Sequence, residues 1–203
     1  MCHFVSSLKV QNSSMINYID DYLSEVQVIA GKLDGQQIQK MIEILFETKT
    51  KGGRVFVLGV GGSAANASHL VNDLRKICGI EAYAPTDNVA ELTARTNDDG
   101  WRQTFIDWLR VSNLNEKDSL FVLSVGGGDA IKETSINIVN AVSWAKYKRS
   151  KVIGIVSRDG GHTKSNADAC VLIPVVNDEH ITPHAEAFQG VIWHLIVNHP
   201  SLQ

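Results

Sequence analysis

The chain has 203 residues, of which 44% are hydrophobic and 20% are charged, and its formal net charge is −3. This composition is ordinary for a globular domain, and the scattered 19 Lys and Arg form no basic stripe for nucleic acid. No apolar run reaches the roughly 20 residues of a membrane span, and no secretion signal begins the chain. We therefore expect a cytoplasmic protein without nucleic-acid or membrane partners.

Two helices are predicted before any strand. Apolar residues recur at helical spacing from about Met15 to Lys32, which indicates a first helix. A second is predicted from about Asp34 to Thr48, with Asp34 as its N-cap and a glycine pair after its end. Residues 15–52 thus form an N-terminal helical segment, and residues 1–14 are predicted to be a flexible terminus.

An alternation of strands and helices follows. Short β-branched and apolar runs predict buried parallel strands at 54–60, 119–125, 151–157 and 169–175, with a weaker candidate at 79–85. Helical segments separate them, notably Asp129 to Lys148, and a helix from Pro183 to Asn198 closes the chain. This order predicts an α/β fold with a parallel sheet and helices on both faces.

Three of the predicted strands end in loops of glycine and small residues, with the sequences GVGGSAA, SVGGGDA and SRDGGHT. The carboxyl ends of parallel strands meet at one edge of a sheet, where ligands bind. Glycine lets the backbone approach an anion closely, and the next helix offers free N–H groups. Several such loops converging on one edge predict a ligand site there.

A dinucleotide site is the first alternative for this edge. Gly59, Gly61 and Ala64 fit a loose G-x-G-x-x-A pattern. That pattern also requires an acidic residue at the end of the second strand, whereas Glu81 lies near the start of it. Two helices also precede the first strand. The context argues against a nucleotide cofactor.

Four side chains could carry chemistry. His69 and Asp73 are four residues apart on one helix face, and Glu186 and His194 are about two turns apart in the last helix. Two imidazoles and two carboxylates suit a divalent metal, or an acid–base pair beside a sugar. Spacing alone leaves a structural interpretation open, because such a His–Asp pair is also common on surfaces and His194 lies among apolar residues.

These residues carry a resemblance to a known family. The segments GVGGSAANASH, ARTNDDGW, LSVGGG and SRDGGHT, together with the last helix, resemble the sugar isomerase (SIS) domain family, most closely the phosphoheptose isomerases. The resemblance extends from about residue 15 to the end. It implies a single SIS domain over residues 1–203 with a five-stranded parallel sheet flanked by helices. It also implies a homo-oligomer, usually a tetramer with sites between subunits.

The resemblance further implies an aldose–ketose isomerase. Members convert sedoheptulose 7-phosphate to D-glycero-D-manno-heptose 7-phosphate through an enediol, in nucleotide-activated heptose biosynthesis. By position, Asp73 and His194 become base and acid. Some members bind Zn²⁺, which here would be held by His69, Asp73, Glu186 and His194. The residues implied to contact substrate are Ser63, Ser124, Gly126, Gly127 and Gly128 at the phosphate and Asn97 and Asp98 at the sugar hydroxyls.

Three departures from the family pattern affect this interpretation. Asp73 replaces a glutamate, and Glu186 replaces a glutamine. The phosphate loop SVGGGD replaces S-T-S-G-N-S, so hydroxyl groups are lost and Asp129 is gained, which we predict to be the N-cap of the next helix. A carboxylate beside a phosphate is unfavourable unless a cation intervenes. An enzyme acting on another sugar phosphate, and a non-catalytic SIS regulator that binds a sugar phosphate, therefore remain alternatives.

Overall fold

The computed structural model describes the backbone of residues 2–203 and the side chains of residues 17–203. Two helices begin the chain, α1 (Cys2–Gly31) and α2 (Gly35–Thr50). The side chain of Asp34 accepts hydrogen bonds from the backbone N–H groups of Gln36 and Gln37, which confirms the predicted N-cap. Helix α1 starts well before the predicted boundary, so most of segment 1–14 is helical. Met1 lies outside the described residues, and the flexibility of this terminus stays a prediction.

A parallel sheet of five strands forms the centre of the fold, as predicted. The strands are β1 (Val55–Leu58), β2 (Ala82–Tyr83), β3 (Ser119–Leu123), β4 (Lys151–Val156) and β5 (Ala169–Leu172). Their order is β2-β1-β3-β4-β5. The chain leaves β1 towards one side of the sheet and continues from β3 towards the other. Beyond the carboxyl ends of β1 and β3, this reversal opens a crevice of the kind that binds ligands.

Six further helices cover the sheet. They are α3 (Gly62–Lys76), α4 (Val89–Asp98), α5 (Thr104–Val111), α6 (Ile136–Tyr147), α7 (Gly161–Asn166) and α8 (Ile181–Val197). Among the described residues, no helix has the length and apolar character needed to cross a membrane.

Each face of the sheet has its own hydrophobic core. Val55 and Val57 of β1 belong to the core that includes α2, α3 and α8, whereas Phe56 and Leu58 belong to the core that includes α5 and α6. This division follows from the two-residue period of a strand. Because both faces are covered, the strands are almost continuously apolar, which is the pattern that made them recognisable.

The predicted helix from Asp129 to Lys148 starts later than expected. The Asp129 carboxylate accepts hydrogen bonds from the N–H groups of Ile131 (2.8 Å) and Lys132 (3.0 Å), and the Asp129 N–H donates to the Thr134 carbonyl (2.9 Å). These bonds close a tight turn before Ser135, which has a φ of 49° and precedes α6. The prediction that Asp129 caps this helix is therefore wrong, because the nearer turn amides take its carboxylate.

Asp118 fastens the amino ends of β1 and β3 together. Its side chain is 2% exposed and lies 2.8 Å from the Arg54 guanidinium, while also accepting from the Arg54 N–H at 2.9 Å. We expect Asp118→Ala to lower the free energy of unfolding by about 3 kcal/mol, because it leaves a partly buried cation without its partner. Asp107→Ala, which removes the surface partner of Arg110, should cost less than about 1 kcal/mol. Equal losses in urea denaturation would contradict this assignment.

Candidate functional site

The β1–α3 turn brings the backbone against the last helix. At Gly62, the first residue of α3, an added Cβ would collide with the carboxylate of Glu186 from α8. This contact between the Glu186 side chain and the start of α3 is close because Gly62 has no side chain. It places α3 and α8 side by side, so that side chains one to three turns along α3 can meet side chains of α8.

Three of the predicted residues meet between these helices, and we call His69, Asp73 and His194 the α3–α8 cluster. One ligand atom from each lies within 4.8 Å of the others. Asp73 Oδ2 is 3.9 Å from Nε2 of His69 and 3.9 Å from Nε2 of His194. These distances are too long for hydrogen bonds. The carboxylate is 10% exposed and the imidazoles are about half exposed, so the three groups face a common space that opens to solvent.

Two hydrogen bonds orient this cluster. His194 Nδ1 lies 2.7 Å from the Gly190 carbonyl, which can only accept, so Nδ1 carries the proton of the neutral ring. The lone pair is therefore on Nε2, the atom that faces Asp73. The Asn72 amide donates to Asp73 Oδ1 at 2.8 Å, which leaves Oδ2 for the histidines. This arrangement can bind a divalent cation or move a proton.

Glu186, the fourth predicted ligand, does not join the group of atoms that lie within 4.8 Å of one another. Its carboxylate lies against Gly62, at the start of α3. The reason is helical geometry, because eight residues at 100° each leave Glu186 about 80° around α8 from His194. The structure thus brings together three of the four residues.

A cavity of about 800 Å³ lies at the carboxyl edge of the sheet. It is lined by the loops after β1, β3 and β4 and by the start of α8. Among the predicted phosphate contacts, Ser63, Ser124, Gly126 and Gly128 line it. Gly127 does not. Its carbonyl accepts from the Thr163 backbone N–H (2.9 Å) and hydroxyl (2.7 Å), which ties the glycine loop to α7.

The hydroxyl groups of Ser63 and Ser124 can each donate a hydrogen bond into the cavity. Ser63 is 1% exposed, and its oxygen accepts from the Gln189 side chain at 3.0 Å. The oxygen of Ser124 accepts from the Gly127 N–H at 3.1 Å. Among the side chains that the structure describes, neither hydroxyl has an acceptor for its own proton. Both can donate to an anion in the cavity.

Three basic residues that the sequence interpretation missed also line the cavity, namely Lys132, Arg158 and His162. Lys132 Nζ is 3.9 Å from Asp129 Oδ2. Hydrogen bonds from the Lys132 and Ile131 N–H groups hold the pKa of Asp129 below its usual range, so Asp129 remains an anion. The cavity lining thus includes two cations, Lys132 and Arg158, beside two carboxylates, Asp129 and Asp159. Burial lowers the pKa of His162, whose Nε2 contacts the Ser143 hydroxyl at 3.0 Å.

A signal for two of these residues was present in the sequence, because Arg158 and His162 belong to the SRDGGHT loop. Lys132 was hidden inside the predicted helix. Asn97 and Asp98 lie elsewhere. They are exposed at the end of α4, where the Asn97 amide donates to Asp98 at 2.7 Å, and neither lines the cavity. The α3–α8 cluster and Glu186 do not line it either, so the predicted site residues are divided among the cavity, the cluster, the start of α3 and the end of α4.

Comparisons with known proteins agree with the fold. Residues 17–157 match the SIS domain family. The phosphoheptose isomerase of Syntrophotalea carbinolica is 28% identical over 187 residues, which cover 87% of this chain and 89% of that protein. That of Helicobacter hepaticus is 30% identical over 165 residues, 78% of each chain. A solved phosphoheptose isomerase from Francisella tularensis superposes with a TM-score of 0.78 at 25% identity, covering 92% of this chain and 95% of that one.

Gln189 joins the cavity to the α3–α8 contact. It is 0% exposed, donates to Ser63 and accepts from the Asn66 amide at 3.0 Å. We expect Gln189→Leu to lower the free energy of unfolding by about 1–3 kcal/mol, because buried polar partners lose their hydrogen bonds. Gln39→Leu is the matched control, since Gln39 is exposed on α2 and bonds only Glu43; it should change stability by less than about 0.5 kcal/mol. Equal effects of both variants on the urea midpoint would refute this role.

Proposed function

Because the chain belongs to the SIS domain family and is a sugar-phosphate isomerase, we propose that it converts sedoheptulose 7-phosphate to D-glycero-D-manno-heptose 7-phosphate. We place this reaction in nucleotide-activated heptose biosynthesis. The observation that carries the proposal is the α3–α8 cluster, in which a nearly buried carboxylate faces two imidazole Nε2 atoms at 3.9 Å. An aldose–ketose isomerisation needs such a base and acid on either side of two adjacent carbons.

Asp73 acts as the base and His194 as its partner in this proposal. Asp73 Oδ2 removes a proton from C1 of the ketose while protonated His194 donates to the carbonyl oxygen on C2, which forms the enediol. Asp73 then returns the proton to C2, and His194 Nε2 takes the proton of the C1 hydroxyl, which forms the aldose. The fixed proton on His194 Nδ1 supports this role, because it directs Nε2 towards the reacting atoms.

The cavity receives the phosphate. Ser63 and Ser124 donate hydroxyl protons, and the backbone of Gly126 and Gly128 offers N–H groups, with Gly127 holding the loop on α7. Gly127 and Gly128 have positive φ angles of 69° and 85°, and the absence of side chains in this loop lets its backbone approach an anion closely.

We assign Asn97 and Asp98 to the sugar hydroxyls, contributed by a neighbouring copy in a homotetramer. Neither residue lines the cavity within one chain, which supports a contribution from a second chain. Exposed apolar residues support association, because Ile19 and Leu23 of α1 and Val191 and Leu195 of α8 are each about half exposed. Val191 and Leu195 flank His194 in sequence, so a second copy covering them would also shield the cluster from water.

A Zn²⁺ ion fits the α3–α8 cluster. Two imidazoles and a carboxylate are suitable zinc donors, and the lone pair on His194 Nε2 points to the common space. His69, Asp73 and His194 would hold the ion, with Glu186 as a fourth ligand after its side chain turns away from Gly62. When bound, zinc would supply a Lewis acid that polarises a carbonyl and its neighbouring hydroxyl. Asp73 and His194 would have to leave the ion before they act as base and acid, because a lone pair on a metal cannot take a proton.

Substitutions at the base and acid test the mechanism. We expect Asp73→Asn and His194→Ala each to lower kcat by about 10²–10⁴-fold, the usual contribution of general acid–base catalysis. His199→Ala is the control, because that partly exposed histidine lies beyond α8, bonds Ser201 through its side chain and should leave kcat unchanged. The measurement is conversion of sedoheptulose 7-phosphate followed by NMR, beside a panel of pentulose and hexulose phosphates. Full turnover in both variants would rule out the assignment, and a better substrate in the panel would replace the heptose.

A substitution at Lys132 tests whether the cavity binds the phosphate, separately from the proton transfers. We expect Lys132→Ala to raise KM about fivefold with little change in kcat, because an exposed ion pair contributes roughly 1 kcal/mol to binding in both ground and transition states. Lys40→Ala, an exposed lysine of α2, is the control. If steady-state kinetics showed the same KM for Lys132→Ala as for the unchanged chain, the phosphate would not bind beside Lys132.

A further inference from the structure

We infer that Glu25, His180 and His184 form a second site for a divalent transition metal, separate from the α3–α8 cluster. We call these three residues the Glu25 cluster. Glu25 comes from α1, and the histidines stand four residues apart across the start of α8, so they share one helix face. A metal bound there would join the N-terminal helix to the last helix.

The geometry brings three ligand atoms of suitable chemistry to one point. They lie within 4.8 Å of one another. Glu25 Oε2 is 2.8 Å from His180 Nδ1 and 2.6 Å from His184 Nε2, and the two rings stand at 87°. Two imidazoles and one carboxylate are donors that zinc and its neighbours in the first transition row accept.

The Glu25 cluster is enclosed, in contrast to the half-exposed histidines of the α3–α8 cluster. The side chains of Glu25 and His180 are 16% exposed and that of His184 is 4% exposed. The Tyr22 ring covers both imidazoles, with centroid distances of 5.1 Å to His180 and 4.5 Å to His184. A carboxylate in such a place needs cationic or hydrogen-bonded partners, since water cannot reach it freely.

The protons in the Glu25 cluster can be exchanged for a cation. Asn177 donates a hydrogen bond to Glu25 Oε1 at 2.7 Å, and His180 and His184 contact Glu25 Oε2. His184 Nδ1 is buried and has no hydrogen-bond partner among the side chains described. Without a metal, His184 Nε2 donates its proton to Glu25 Oε2 at 2.6 Å. A metal bound at Nε2 would displace that proton, and the neutral ring would then carry its proton on Nδ1.

The required movement is small. Zinc sits about 2.0–2.2 Å from nitrogen and oxygen ligands, which places neighbouring ligand atoms about 3.3 Å apart in a tetrahedral site. The Glu25 carboxylate would have to withdraw by roughly 0.5 Å from the histidines. A glutamate side chain achieves this by a small rotation, and Asn177 or water would complete the coordination.

Zinc stoichiometry in a background without the α3–α8 cluster tests the inference. In the full chain carrying His69→Ala and His194→Ala, equilibrium dialysis against Zn²⁺ followed by elemental analysis should find about one zinc per chain. Adding Glu25→Gln should reduce this to nearly zero, because the amide keeps the shape but removes the charge. Asp20→Asn, which removes an exposed carboxylate from the same helix, should leave one zinc per chain.

Thermal unfolding gives a second measurement. Zinc should raise the Tm of the background chain, because a ligand bound only to the folded state stabilises it, and should not do so after Glu25→Gln. Circular dichroism checks folding, and His180→Asn replaces Glu25→Gln if that chain does not fold. No zinc in the background, or zinc retained after loss of Glu25 or His180, overturns the inference. The result is independent of the isomerase proposal, since the background already lacks His69 and His194.

Discussion

The reversal of strand order between β1 and β3 is the constraint on which the rest of the structure depends. Parallel strands send all their carboxyl ends to one edge, and the connections from β1 and β3 leave that edge in opposite directions. The loops cannot fill the space between them, so a cavity forms where hydroxyls, amide groups and cations converge. The two hydrophobic cores pack the helices against both faces of the sheet and so fix the position of this edge.

Helix α8 contributes a histidine to each of the two clusters of possible metal ligands. His184 and His194 are ten residues apart, which at 100° per residue turns them about 80° away from each other. His184 consequently meets Glu25 of α1, whereas His194 meets Asp73 of α3. The first histidine is nearly buried and the second is half exposed. One helix thus carries an enclosed cluster and an open one, and only the open one can admit a sugar.

The cavity beside the altered glycine loop contains two cations, Lys132 and Arg158, as well as two carboxylates, Asp129 and Asp159. The Asp129 carboxylate accepts hydrogen bonds within the turn that precedes α6. The same turn places Lys132 at the cavity. Arg158 approaches from the loop after β4. Asp129, which replaces a hydroxyl residue of the family pattern, thus lies beside a cation, Lys132.

The sequence by itself determined the features that depend on neighbours along the chain. Apolar runs located the strands, glycines marked the loops that follow them, and the four-residue spacing put His69 and Asp73 on one face of α3. Only the tertiary structure decided how distant segments meet. Asp129 caps a turn instead of α6, Glu186 faces Gly62, and Asn97 lies apart from the cavity. Glu25 contacts His184 across 159 positions of sequence. No periodicity encodes such contacts, because they arise from the packing of whole helices on the sheet.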